Sequence, residues 1–218
     1  MGAQNLPRWM REEIHRVTKK DRRAAALQLL SGAVDSYGDE AFPAARRKLM
    51  EAKQLSPRSS TIRELLGLSS YRCRKWDEAL AELRAFRRLA GDTTHMPVEM
   101  DSLRALKRDR DVETTWERFV ELGGDRPTEA EARVVYASYL LDRGRAPDAW
   151  AIAGPDRLAE DAQPYERRCW FVAARAALAM GETGVAARLT EAIRRADPEM
   201  PGLEDLIEEV EEAGPGPS

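Results

Sequence analysis

Apolar positions recur on a helical period through most of this chain. In ETTWERFVEL, Trp116, Phe119, Val120 and Leu122 are placed on one face with charges between them. GLEDLIEEVEEA (Gly202 to Ala213) sets Leu203, Leu206, Ile207 and Val210 on one side and acids on the other. PRWMREEIHRVT (Pro7 to Thr18) does the same with Trp9, Met10 and Ile14. No apolar/polar alternation survives long enough to make a strand. The pattern therefore predicts an all-α chain of about eleven or twelve helices. Thr61-x-x-Glu64 and Thr128-x-x-Glu131 read as capping boxes. Pro7 and Pro201 suit first-turn positions, and Gly38, Gly91, Gly144 and Gly181 read as turns.

The pattern also repeats. Ala45 and Ala79 lie 34 residues apart, and the same offset carries Leu49 to Leu83, Phe42 to Trp76 and Ala33 to Gly67. Small residues fall on small ones and large on large. Further copies follow at Val112, Ala149 and Ala186, at steps of 33, 37 and 37 residues. The longer steps predict inserted loops near Gly123-Gly124 and Gly154-Pro155. Leu66-Gly67, Trp76, Ala79 and Leu83, and later Trp170, Gly181, Ala186 and Pro198, resemble the tetratricopeptide repeat. The Ala- and Arg-rich character is similar to actinobacterial members of that family.

The resemblance implies a right-handed α-solenoid of about five stacked helix pairs over residues 26–198. An N-terminal segment with a capping helix (1–25) precedes the array, a C-terminal capping helix (199–213) closes it, and a disordered tail (214–218) follows. It further implies a non-catalytic module that holds a peptide or helix of a partner in a concave groove lined by the first helix of each pair. Carried across, the groove positions are Val34 and Tyr37 in the first repeat and Glu64, Leu68, Tyr71 and Arg72 in the second. Asp101 and Arg104 follow in the third, Val134, Ser138 and Leu141 in the fourth, and Phe171 and Arg175 in the fifth. A family subset clamps a terminal carboxylate with Lys and Asn; here those positions hold Leu30, Val34, Glu64 and Leu68, so the clamp is missing. Several of the apolar groove residues also fit a plain core role.

Composition narrows the chemistry. Charged residues make up 33% of the 218 residues, so much helix surface faces water. Net charge is −3, divided as +5 over residues 1–60, +1 over 61–120 and −9 over 121–218. The basic first third, with KKDRRAAA at Lys19 to Ala26, raises an alternative: a nucleic-acid-associated regulatory protein. A sequence pI of about 5.7 and the lack of a nucleic-acid motif weigh against it. No phosphate loop, nucleophile elbow or zinc-binding spacing occurs, so neither an enzyme nor a cofactor nor a metal is expected. Cys73 lies between Arg72 and Arg74 and reads as a helix-end residue; a disulfide to Cys169 is left open. Ser69 and Ser70 sit mid-helix with no histidine near in sequence. The N-terminal residues lack the apolar run of a signal peptide and no run spans a bilayer, so a cytoplasmic protein is expected, with no membrane role and as a monomer or weak homodimer.

Overall fold

A computed structural model describes residues 6–214. Among these residues there is no strand, and twelve α-helices carry the fold. They are α1 (Arg8–Val17), α2 (Arg23–Gly38), α3 (Phe42–Leu55), α4 (Ser60–Arg72), α5 (Trp76–Ala90) and α6 (Met96–Ala105). After them come α7 (Asp109–Leu122), α8 (Arg126–Asp142), α9 (Ala146–Ala153), α10 (Pro164–Ala179), α11 (Thr183–Ala196) and α12 (Leu203–Glu212). A single 3-10 turn, Lys20–Arg22, precedes α2. The chain divides into two compact units, Met1–Thr115 and Trp116–Ser218. In the first, each helix from α1 to α5 packs on its successor. In the second, α8 packs on α9, both pack on α10, and α11 packs on α10 and α12. Residues 215–218 of the expected tail lie outside the described residues.

One turn is used five times. Glu40, Arg74, Lys107, Gly144 and Gly181 all adopt positive φ, between 55° and 79°. In each case the next N–H donates five residues back: Ala41 to Ser36 (2.8 Å), Lys75 to Ser70 (2.8 Å), Arg108 to Leu103 (3.0 Å), Arg145 to Leu140 (2.9 Å) and Glu182 to Ala177 (2.9 Å). That is the hydrogen-bond pattern of a left-handed helix stop, which satisfies carbonyls a helix end would otherwise leave open. The turns step by 34, 33, 37 and 37 residues, as do the small residues Ala45, Ala79, Val112, Ala149 and Ala186, all fully buried. The expected loop at Gly123-Gly124 is not an insertion. Three residues join α7 to α8, and the added length is helical: α8 has 17 residues where α6 has 10. The connection at 154–163 is a genuine loop. Gly38 is not the special turn residue; Glu40 takes the left-handed conformation two places later.

The small-with-large matching has a steric basis. A Cβ on Gly67 would stand 2.6 Å from both Cγ and Cδ2 of Leu83. Leu66, Ala79 and Leu83 are all fully buried around it, as are Ala33, Ala45 and Leu49 at the matching places one offset earlier. Helices α4 and α5 thus approach closely because one of them lacks a side chain at the contact.

Several helix starts differ from the sequence reading. Ser59, not Thr61, caps α4, its hydroxyl accepting from Ile62 N at 3.2 Å. Thr61 is occupied elsewhere: Glu13 of α1, itself buried, accepts from Ser60 N (2.6 Å), Ser60 Oγ (2.8 Å) and the hydroxyl of Thr61. A carboxylate from the N-terminal helix thereby holds the positive end of α4. Asp125, not Thr128, caps α8 at 2.9 Å, and the bonds from Thr128 hold its carboxyl below the usual carboxylate range. Pro7 is the residue before α1 and Pro201 lies in a turn before α12.

Of the α7 face, Val112 and Phe119 are buried, whereas Val120 is 61% and Leu122 48% exposed. The buried stripe runs one helical step away from the predicted one. Trp9 is likewise 55% exposed, while Ile14 is buried and Met10 packs on the core. In α12, Leu203, Leu206 and Val210 are buried as predicted.

Two substitutions test this account by chemical denaturation. Gly67→Ala is expected to cost about 1–3 kcal/mol by overpacking, and Gly67→Ala with Leu83→Ala to cost less than the sum of the two. Arg74→Gly is expected to stabilise by about 0.5–1 kcal/mol, because it releases a side chain from the left-handed region.

Candidate functional site

In the first unit the expected groove residues come together through neighbours the sequence reading did not include. Tyr37 meets Phe42 edge-on at 5.2 Å, and Tyr71 meets Trp76 edge-on at 5.3 Å, the same pair one 34-residue step later. The Arg72 guanidinium lies over the Phe42 ring, 4.5 Å from its centroid, so α4 reaches back onto the start of α3. Burial pushes the Tyr37 phenol up, with Arg72 pulling it down and Glu64 pushing it further up. Tyr37, Arg72 and Glu64 therefore share one electrostatic neighbourhood.

A second linked set joins α4 to α6. The Tyr71 hydroxyl donates to Asp101 Oδ2, and Asp101 Oδ1 accepts from Arg104 at 2.5 Å. Glu64 Oε1 lies 2.8 Å from His95 Nε2, and the His95 ring packs on Phe86 at 5.3 Å. Leu68, in the middle of α4, is half-buried, and Val34 packs on the core. Phe42 and His95 were missed as members of this surface. Phe42 carried a signal, since the 34-residue offset sets it where Trp76 stands. His95 carried none, because its contact with Glu64 spans 31 residues of no fixed register.

In the second unit the expected residues are not joined in this way. The Ser138 hydroxyl donates to the carbonyl of Val134 one turn back, at 2.7 Å, so it is engaged inside its own helix. Leu141 is half-buried and Arg175 exposed. Phe171 lies against Gly202, 3.5 Å from where a Cβ would stand, and so covers the approach to α12. What the unit does present is an aromatic stack absent from the expected set. Trp116 lies parallel to Tyr136 at 4.5 Å, Tyr136 to Tyr139 at 5.8 Å, and Trp116 to Phe119 at 6.4 Å. Trp116 and Phe119 were placed on one face by their spacing; Tyr136 joins them only through packing of a separate helix.

The buried charges are structural partners. Glu82 is buried and bridges Lys53 at 2.8 Å and Arg63 at 2.6 Å. Glu99, fully buried, accepts from Arg87 at 3.0 and 3.2 Å with Arg84 at 3.6 Å. Each carboxylate is compensated by two cations, as burial of a charge requires. Cys73 and Cys169 are both free thiols. Cys169 donates to the Ala130 carbonyl at 3.5 Å inside a wall shared with Arg126, Arg133, Tyr165 and Trp170, which enclose a recess of about 510 Å³. Burial pushes its thiol up to about 11. Glu131 is also pushed up by burial, opposed by Arg168 at 3.0 Å.

Among the described residues no group of three or more His, Cys, Asp or Glu is arranged to hold a metal ion, and no helix is long and apolar enough to cross a membrane. No protein-family model matches the chain, and no curated protein matches it.

The Cys169 environment gives a pH prediction. Its folded pKa stands above the value of 9.0 for a free thiol, so the unfolded chain loses this proton first. Stability is then expected to fall as pH rises from about 9 towards 11. Cys169→Ser should flatten that limb in denaturation curves. In the native protein at neutral pH, mass spectrometry after brief alkylation should show label at half-buried Cys73 and little at Cys169.

Proposed function

We propose that this chain is a tetratricopeptide-like solenoid that works as a non-catalytic interaction module, taking a peptide segment or helix of a partner protein across the first helices of its first unit. The observation that carries this reading is the linked surface of α2, α4 and α6: Tyr37 with Phe42 and Arg72, then Tyr71 with Asp101 and Arg104. Tyrosine and arginine dominate binding hot spots because they offer large contact area with a polar end. Here each such side chain is already held by a neighbour, so a partner would find it in place and less entropy is lost on docking. Leu68 supplies an apolar centre between the polar groups. The five equal turns, and the matching of small with large residues at the same steps, support the repeat assignment.

The test is affinity capture from cell extract with the full chain and with Tyr71→Ala and Leu68→Glu, each first shown to be folded by circular dichroism. Loss of the same partner from both variants is expected, at about 2 kcal/mol or more for the tyrosine. An unchanged partner set for both folded variants would overturn the groove. Capture of nucleic acid instead, with steep salt dependence, would replace this reading by the nucleic-acid alternative.

A further inference from the structure

We propose that a basic recess at the start of α3, which shares Phe42 and Arg72 with the surface described above, binds a dianionic phosphoryl group. The recess measures about 490 Å³ and is walled by Phe42, Arg46 and Arg47 of α3, by Arg72 at the end of α4, and by Cys73 and Lys75 of the α4–α5 connection. Four of its lining residues are cations and none is a carboxylate.

The cations differ in what they already hold. Arg46 is taken by Glu78 at 2.5 Å. Arg72 holds its guanidinium carbon over the Phe42 ring, 4.5 Å from the centroid, a contact that uses none of its N–H groups as hydrogen-bond donors to an oxygen. The side chains of Arg47 and Lys75 make no hydrogen bond or ion pair with any described residue. Elsewhere in this unit Lys53, Arg63, Arg84 and Arg87 each face a glutamate. Of the carboxylates tied to the recess residues, Glu78 is held by Arg46, and Glu64, whose charge reaches Tyr37, is held by His95. Arg47, Arg72 and Lys75 thus share one concavity whose own wall carries no carboxylate. Walls of low polarisability sharpen the field in such a concavity and raise the local concentration of anions.

The scaffold is fixed. Cys73 N donates to Ser69 O at 3.0 Å, Arg74 N to Tyr71 O at 2.9 Å and Lys75 N to Ser70 O at 2.8 Å. Arg72 and Lys75 are therefore set at either side of a defined turn, and Arg47 approaches from another helix. Three separate cations suit a group with about two charges and three acceptor oxygens, which a phosphate monoester offers and a carboxylate does not.

Cys73 in the recess wall gives a local readout in the full-length protein. Alkylation of Cys73 by iodoacetate and by neutral iodoacetamide is followed by mass spectrometry, with buried Cys169 as an internal blank. Inorganic phosphate and O-phosphoserine are expected to slow Cys73 alkylation saturably in the millimolar range, and acetate at equal ionic strength to leave it unchanged. Arg47→Gln and Lys75→Gln are each expected to weaken protection about tenfold, the loss of one charge-assisted hydrogen bond. Arg118→Gln, an exposed α7 residue paired with Glu121, should leave it intact. Stronger protection by phosphoserine would identify the source as a phosphorylated residue of a partner, and stronger protection by inorganic phosphate as the free anion. Equal protection by phosphate and acetate, protection unchanged in both recess variants, or protection by single-stranded RNA but by neither phosphomonoester would overturn the proposal.

Discussion

Five successive helix pairs, α2–α3, α4–α5, α6–α7, α8–α9 and α10–α11, are joined by the same six-residue stop, in which a left-handed residue lets the following N–H return to a carbonyl five places back. The stop fixes where the first helix ends and the direction in which the second leaves, because it closes the last free carbonyls without water. Only then can the small residues act. Gly67 meets Leu83 at a distance no side chain at position 67 could tolerate, and that contact exists only if the turn delivers α5 in the right register. Three of the five left-handed residues are Glu40, Arg74 and Lys107, not glycine. The backbone conformation is thus imposed by packing on both sides of the turn, against a local preference that opposes it.

Charge placement in the first unit follows from the same close packing. Pairs of helices brought near one another bury their flanks, and the carboxylates of Glu82 and Glu99 go with them. Each then needs cations from adjacent helices: Glu82 takes Lys53 of α3 and Arg63 of α4, and Glu99 of α6 takes Arg84 and Arg87 of α5. Glu13 serves α1 in a like way, since the N–H groups at the start of α4 supply the compensation that a cation supplies elsewhere. Such pairs contribute little net stability once desolvation is counted, but a mismatched register would strand a buried charge. They act against wrong pairings.

The fold was legible where one residue type answers a steric demand at a fixed interval. Ala33 and Gly67, Ala45 and Ala79, Leu49 and Leu83 sit at matched depths, and the sequence offset alone finds them. The helix caps were not, because their partners come from far along the chain. Thr61 looks like a cap by its spacing to Glu64, yet its hydroxyl goes to Glu13, 48 residues away, while Glu64 goes to His95. Helical periodicity also left a choice of stripe on α7. Val120 and Leu122 fit the period as well as Val112 does, and only the packing of neighbouring helices decides which side is covered.

The candidate site was readable to the same degree and for the same reason. Positions taken one per repeat locate Tyr37, Tyr71 and Arg104 in the first unit, where regular 34- and 33-residue steps keep equivalent side chains adjacent. Tyr71 then reaches Asp101 on the next first helix, and Arg72 reaches back to Phe42 on the preceding second helix. In the second unit the step lengthens to 37, α8 grows by two turns relative to α6, and the same positions no longer meet. Ser138 turns to its own helix and Phe171 to Gly202. The extra helical length rotates and displaces what the repeat would have aligned, and it brings Tyr136 onto Trp116 instead. A repeat can thus keep its turns while losing its surface: the turn is a backbone demand met locally, whereas a shared face requires equal helix lengths between turns.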